Sequence, residues 1–164
     1  MGALAEAIAK VIGLSEDELR GIHFAAIIHD LGQIQVPAEI LSKPGKLSNL
    51  EFQLIKMHAQ AGYDILKGID FRWPVAQIVY QHHERLDGSG YPRGLKGAET
   101  LMEAKILAVA DVVQAIVSDR PYRPGRGIHT ALDELAKHRG KLYDTAVVDI
   151  CIKLFREEEF AFST

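Results

Sequence analysis

Apolar residues recur along most of this chain at helical spacing, and the recurrences break at glycine and proline. Leu4, Ile8, Val11 and Ile12 share one face of a predicted helix over 3–12, which Gly13 ends. Ser15 followed by Glu18 is a capping-box signature, so a second helix is predicted from there to about residue 29. Gly32 stops it. Pro37, Pro44 and Gly45 mark an irregular connection, and Ser48 with Glu51 opens a long third helix through Leu66. Trp73-Pro74 begins a fourth helix that ends near His83, since proline suits a first helical turn. Residues 86–97 read LDGSGYPRGLKG, with four glycines in twelve positions, and predict a loop. The stretch 101–118 is apolar on nearly all sides and predicts a buried helix. Pro121, Pro124, Gly125 and Gly127 predict another loop. Helices at about 128–139 and 144–158 follow, the second with Asp144 as its N-cap. No period-two alternation suggests a sheet. The expected fold class is all-α, a single compact bundle of about seven helices.

Composition narrows the function classes. At 164 residues, 48% hydrophobic and 25% charged, the chain has the make-up of one globular domain with a real core, which excludes disorder. No apolar run is long enough to span a membrane, so no membrane segment is expected in this chain. A single cysteine excludes a disulfide framework and a Cys-rich zinc module. A net charge of -3 argues against a polynucleotide partner. A secretory signal is absent, so the default compartment is cytoplasmic. The chain enters helix almost directly after Met1-Gly2, and the expectation is a single domain over 1–164 cut at its N-terminal edge from a longer chain.

Seven histidines beside so few aromatic residues are the compositional oddity. Asp111 sits in AKILAVADVVQAIV, where a carboxylate must be paired, protonated or bound to metal. The bland alternative is a salt bridge to Lys105. His29-Asp30 closes the apolar run AAIIHD just before Gly32, and His82-His83 closes another helix just before the glycine-rich loop. Such neighbours diverge by about 100° within a regular helix but can converge where it unwinds. His58 lies mid-helix. Each feature alone has an ordinary reading, as a cap or a satisfied core residue. Together they make four His and two Asp without Cys, a donor set suited to iron, manganese or zinc. Six ligands exceed one four-coordinate zinc and suit two ions bridged by a carboxylate, the arrangement that clamps displacement at phosphorus. His23, His129, His138 and Cys151 need no functional reading. In the loops, Gly90 lets a ligand approach, Tyr91 can stack on a base, and Arg120 and Arg123 suit a phosphate.

His29-Asp30-Leu31-Gly32, His58, His82-His83-Glu84-Arg85, Gly90-Tyr91-Pro92 and Asp111 followed by SDRPYR resemble the HD-GYP family, a subgroup of the HD superfamily of metal-dependent phosphohydrolases. The likeness runs from about residue 3 to 155. It implies two or more divalent ions, usually iron or manganese, and hydrolysis of cyclic di-GMP. Position by position it implies His29, Asp30, His58, His82, His83 and Asp111 as metal ligands, with Asp30 as the bridge. It implies Arg120 and Arg123 on substrate phosphate, and Gly90, Tyr91 and Pro92 at the pocket rim. The chain departs from the family where a lysine normally follows the His-Asp motif: here Gln33 occupies that catalytic position. Gln114 replaces a second aspartate, and a first metal histidine would lie upstream of Met1. The expectation is a cyclic di-GMP phosphodiesterase, with activity weakened by Gln33 and the missing upstream histidine. Its partners would be a cyclic dinucleotide or another phosphoester, and an upstream sensor domain. The competing expectations are a degenerate domain that binds nucleotide or protein without catalysis, and a hydrolase of another phosphoester.

Overall fold

The computed structural model describes residues 1–118, 125–157 and 160 of the chain. Among them run eight α-helices: α1 (Gly2–Ile12), α2 (Glu16–Ile28), α3 (Ala38–Leu41), α4 (Asn49–Leu66), α5 (Val75–Gln81), α6 (Met102–Val117), α7 (Ile128–His138) and α8 (Thr145–Arg156). Two 3-10 turns, Leu31–Gln35 and Gly97–Glu99, complete the order, and the described residues form no strand beyond two isolated bridges. The all-α expectation holds. The eighth helix is α3, one turn inside the segment read as an irregular connection.

The predicted start signals act as read. Ser15 Oγ accepts from the Glu18 amide at 3.3 Å, while Glu18 Oε2 accepts from the Ser15 amide at 2.7 Å. Ser48 and Glu51 repeat the exchange at the start of α4. Asp144 caps α8 through the amides of Ala146 and Val147. Each such cap contributes about 1 kcal/mol.

Helix α6 is the hub. Ile106, Val109, Ala110 and Val113 join a core shared with α1, α2, α7 and α8, while Ala104 and Leu107 join a second core with α2, α4 and α5. Both cores are built mainly of aliphatic side chains, so burial of that apolar area is the main force holding the bundle. No helix among the described residues is long and apolar enough to cross a membrane. One end of α2, the middle of α4, the end of α5 and the middle of α6 are thereby fixed around a common point.

Candidate metal centre

Local backbone geometry places the first pair. His29 follows the last residue of α2, and its Nδ1 lies 2.8 Å from the Ala26 carbonyl. Asp30 then starts the 3-10 turn, so the two side chains converge instead of diverging. That turn packs on α4 with no room to spare. A Cβ built on Gly32 would run into the His58 carbonyl oxygen and the Gly62 amide, so only glycine seats the His-Asp pair beside His58. At the end of α5, His82 follows Gln81 as the helix closes, with its Nδ1 2.6 Å from the Val79 carbonyl. His83 is next, and Asp111 comes from α6.

All six predicted ligands are brought together. His29 Nε2 is 3.1 Å from one Asp30 oxygen, and His58 Nε2 is 3.5 Å from the other. His29 Nε2 is 3.9 Å from one Asp111 oxygen, and His83 Nδ1 is 4.0 Å from the other. One ligating atom from each of His58, His82 and His83 lies within 4.8 Å of the others. Each carboxylate thus faces two imidazoles across the cluster. Asp111 is 21% exposed, so it is not sealed in the core as its apolar helix suggested. It looks into the groove described below. Lys105 extends to within 3.9 Å of Asp144.

The donor set fits metal ions. His58 is 2% exposed and His82 fully buried, and the Nε2 atoms of both meet no hydrogen-bond partner. An unsatisfied buried polar atom costs about 1–3 kcal/mol. The Nδ1 of each sits against a carbonyl, at 2.7 Å from Ile55 for His58. A carbonyl accepts only, so Nδ1 carries the proton and Nε2 offers a lone pair inward. Metal-binding histidines are commonly held this way, the other ring nitrogen donating to a carbonyl that fixes the ring's orientation.

Electrostatics point the same way. Burial, with the charges of His29 and His58 added, depresses His82 to about 3. Burial and the charges of His82, His58, Arg85 and His29 hold His83 well below its ordinary value. Both are therefore neutral at pH 7, the form that binds metal. Burial would raise Asp30, but the His29 hydrogen bond and the charges of His29, His58 and His82 bring it down to about 2. Burial likewise opposes the His29 proton. The Asp30 hydrogen bond and charge, the Ala26 carbonyl and Asp111 outweigh it and raise the His29 pKa.

An open groove of about 270 Å³ leads to this cluster, lined by Asp30, Gln33, Leu47, Phe52, Ile55, His58, His83, Tyr91 and Asp111. Tyr91 stacks on His83 at 4.7 Å between ring centroids. Its loop is tied to the histidine doublet: the Tyr91 amide donates to the His83 carbonyl at 3.2 Å, and Gly90 packs against the backbone of residues 83–85 so tightly that a Cβ would not fit. The Tyr91–Pro92 peptide is cis. Glu84, only 4% exposed, holds the far side of the loop by accepting from the amides of Arg93 at 2.8 Å and Leu95 at 2.9 Å.

Gln33 and Tyr91 line the groove, with Gly90 and Pro92 flanking Tyr91 in its loop. Arg120 and Arg123 lie outside the described residues. Gln114 is engaged elsewhere, with its Oε1 3.3 Å from the Met1 ammonium and its Nε2 2.7 Å from Ser118 Oγ. His23 pairs with Glu6 and His138 with Glu134, while His129 is exposed. Sequence reasoning missed Glu84 as the loop's anchor and Leu47, Phe52 and Ile55 as the groove's apolar wall. A buried acid beside a glycine-rich loop is a readable signal for the first. Nothing in the spacing of the other three distinguishes them from core residues.

Residues 1–147 match the HD domain family. The chain is 44% identical over 155 residues to the cyclic di-GMP phosphodiesterase response regulator RpfG of Xanthomonas campestris pv. campestris, a match covering 93% of this chain and 41% of that protein. It is 36% identical to the 3'3'-cGAMP-specific phosphodiesterase 1 of Vibrio cholerae, covering 92% of this chain and 35% of that protein. The chain thus spans less than half the length of these relatives. Its fold superposes on Bd1817, an HDG"Y"P protein from Bdellovibrio bacteriovorus, with a TM-score of 0.75 at 18% identity, over 94% of this chain and 51% of that one.

Proposed function

This chain belongs to the HD domain family, and from that membership we propose that it is a metal-dependent phosphodiesterase that hydrolyses a cyclic dinucleotide, with cyclic di-GMP as its first substrate. The observation that carries this reading is the pair of buried Nε2 atoms on His58 and His82 that make no hydrogen bond, beside two carboxylates that each face two imidazoles. His29, Asp30, His58, His82, His83 and Asp111 would hold the metal; their nitrogen and oxygen donors suit iron, manganese or zinc, and the family resemblance favours iron or manganese. Asp30 and Asp111 both turn their two oxygens toward different histidines, and the family resemblance is what assigns the shared carboxylate to Asp30. When bound, divalent ions supply Lewis acidity toward phosphoryl oxygen and a lowered pKa for water.

The chain's own residues do the rest. The Nδ1 contacts to Ala26, Ile55 and Val79 hold the imidazoles in one orientation. Tyr91 and the wall of Leu47, Phe52 and Ile55 restrict water on the approach and offer apolar surface to a nucleobase. Gln33 would offer a neutral donor to a phosphate in the groove, and Arg120 and Arg123 are proposed for phosphate.

The test is metal content by mass spectrometry together with hydrolysis of cyclic di-GMP followed by chromatography. Turnover in iron- or manganese-loaded protein, abolished by chelation, is the expected result. Metal-loaded protein that binds the nucleotide tightly without cleaving it would instead favour a binding module, the reading that the uncharged Gln33 motivates. Preference for 3'3'-cGAMP would move the substrate to that of the Vibrio cholerae relative.

A further inference from the structure

Lys56 on α4 has no role in the metal cluster, yet its ammonium stands at the mouth of the same groove. Its Nζ lies 4.8 Å from the centre of the Phe52 ring and 5.4 Å from that of Tyr91. Phe52 and Tyr91 line the groove, and Phe52 is 46% exposed, so part of its ring is open to an incoming ligand. Phe52 and Lys56 are one helical turn apart, so α4 presents them together. Lys56 forms no ion pair among the described residues, so its ammonium is held at the groove by the Phe52 and Tyr91 rings and not by a carboxylate. The neighbouring Gln33 brings no charge to the groove.

We infer that Phe52 and Lys56 form a second nucleotide subsite at the lip of the groove, where Phe52 stacks a nucleobase and Lys56 pairs with the phosphate that is not being cleaved. The inference rests on the cyclic dinucleotide reading above and adds how the remainder of the substrate is held. A cyclic dinucleotide carries two bases and two phosphates. While one phosphate occupies the metal cluster, the other half must lie along the groove wall, which offers an exposed ring and an unpaired cation side by side. Stacking on an aromatic ring tolerates any base, and an ammonium recognises phosphate as a point charge. Lys56 is a substrate-binding residue here: it touches substrate remote from the bond that breaks, so its loss acts on binding.

The experiment uses the metal-loaded protein and cyclic di-GMP with Lys56→Met, Lys56→Arg and Phe52→Ala. Lys56→Met should raise KM about tenfold with kcat changed less than about twofold, and Lys56→Arg should restore most of the loss. Phe52→Ala should raise KM by about five- to tenfold. The Lys56→Met effect should shrink with added salt. Metal content equal to wild type shows that the cluster is intact in each variant. Equal KM in Lys56→Met and wild type overturns the inference, as does a loss confined to kcat. If wild type hydrolyses no cyclic dinucleotide, the phosphodiesterase reading fails separately. The dissociation constant for cyclic di-GMP then decides: a tenfold weaker Lys56→Met supports the subsite, and unchanged affinity, or no binding by wild type, overturns it.

Discussion

At the scale of single residues, the cluster is built from groups misplaced by the ordinary rules of burial. A carboxylate inside the most apolar helix and two histidine doublets at helix ends were legible because each violates a local expectation. Lys56 and Phe52 were not, since a lysine and an aromatic on a helix surface violate nothing until their common neighbour Tyr91 is in place. Asp111 separates site from scaffold. It is part-exposed and faces His29 and His83, so Asp111→Ala should lose bound metal and activity while the helical circular dichroism survives. Metal-free stability should change by no more than about 1–2 kcal/mol. Should the variant unfold, and wild type carry no metal, Asp111 is a structural residue. Gln33 tests the reaction from the other side. It lines the groove, and a full charge there strengthens a hydrogen bond to phosphate about twofold over a neutral donor. Gln33→Lys should raise kcat/KM for the cyclic dinucleotide about tenfold, equivalent to about 1.4 kcal/mol. An unchanged kcat/KM would show that the charge at position 33 is not what limits the rate.

Elements carry the site by where they stop. α2 and α5 each end at a histidine whose ring turns back to the carbonyl three residues earlier, and after α2 the 3-10 turn is pressed onto α4. Gly32 and the glycine-rich loop announced these stops in the sequence, as the capping boxes announced the starts of α2 and α4. α3 was missed because four residues between prolines are too short to express a period. The docking of the 3-10 turn on α4 was equally hidden, because Gly32 and Gly62 are thirty positions apart and meet only in space. That contact makes a sharp prediction. In Gly32→Ala the new Cβ meets the His58 carbonyl, which is backbone and cannot swing aside. The turn must lift, at a cost of about 3 kcal/mol in overpacking. His29 and Asp30 lift with it, so urea denaturation should report the lost stability and metal stoichiometry should fall in protein that is still folded. Wild-type stability and metal content in this variant would mean that the turn is free to move.

For the whole molecule, the cluster ties folding to protons. His82 is depressed to about 3 and His83 lies well below 6.5 in the fold, the first cause being burial in both. Once unfolded, both imidazoles titrate near 6.5. Between those values the unfolded chain binds more protons than the folded one, so stability rises with pH. The contribution is complete above about 6.5 and is lost as pH falls, by up to about 1.4 kcal/mol per pH unit for each group. Asp30 acts in the same direction at lower pH: its stabilisation is present above 3.8 and is lost as pH falls toward about 2. His29 opposes them. Its pKa is raised, so its contribution is complete below 6.5 and is lost as pH rises through the folded value. The metal-free protein should therefore be most stable near neutrality, with a steep acid limb and a shallow alkaline one. Added manganese should change that shape, because ligation requires unprotonated imidazoles and displaces the His29 proton. Its stabilising increment should be small near pH 5, where the ion must displace the His29 proton in the fold, and should grow as pH rises through the raised His29 value. Urea midpoints across about pH 5 to 8, with and without manganese, measure both curves. A flat metal-free curve below 6.5 would mean that His82 and His83 are not buried in neutral form, and a manganese increment independent of pH would mean that the ion binds outside the histidine cluster.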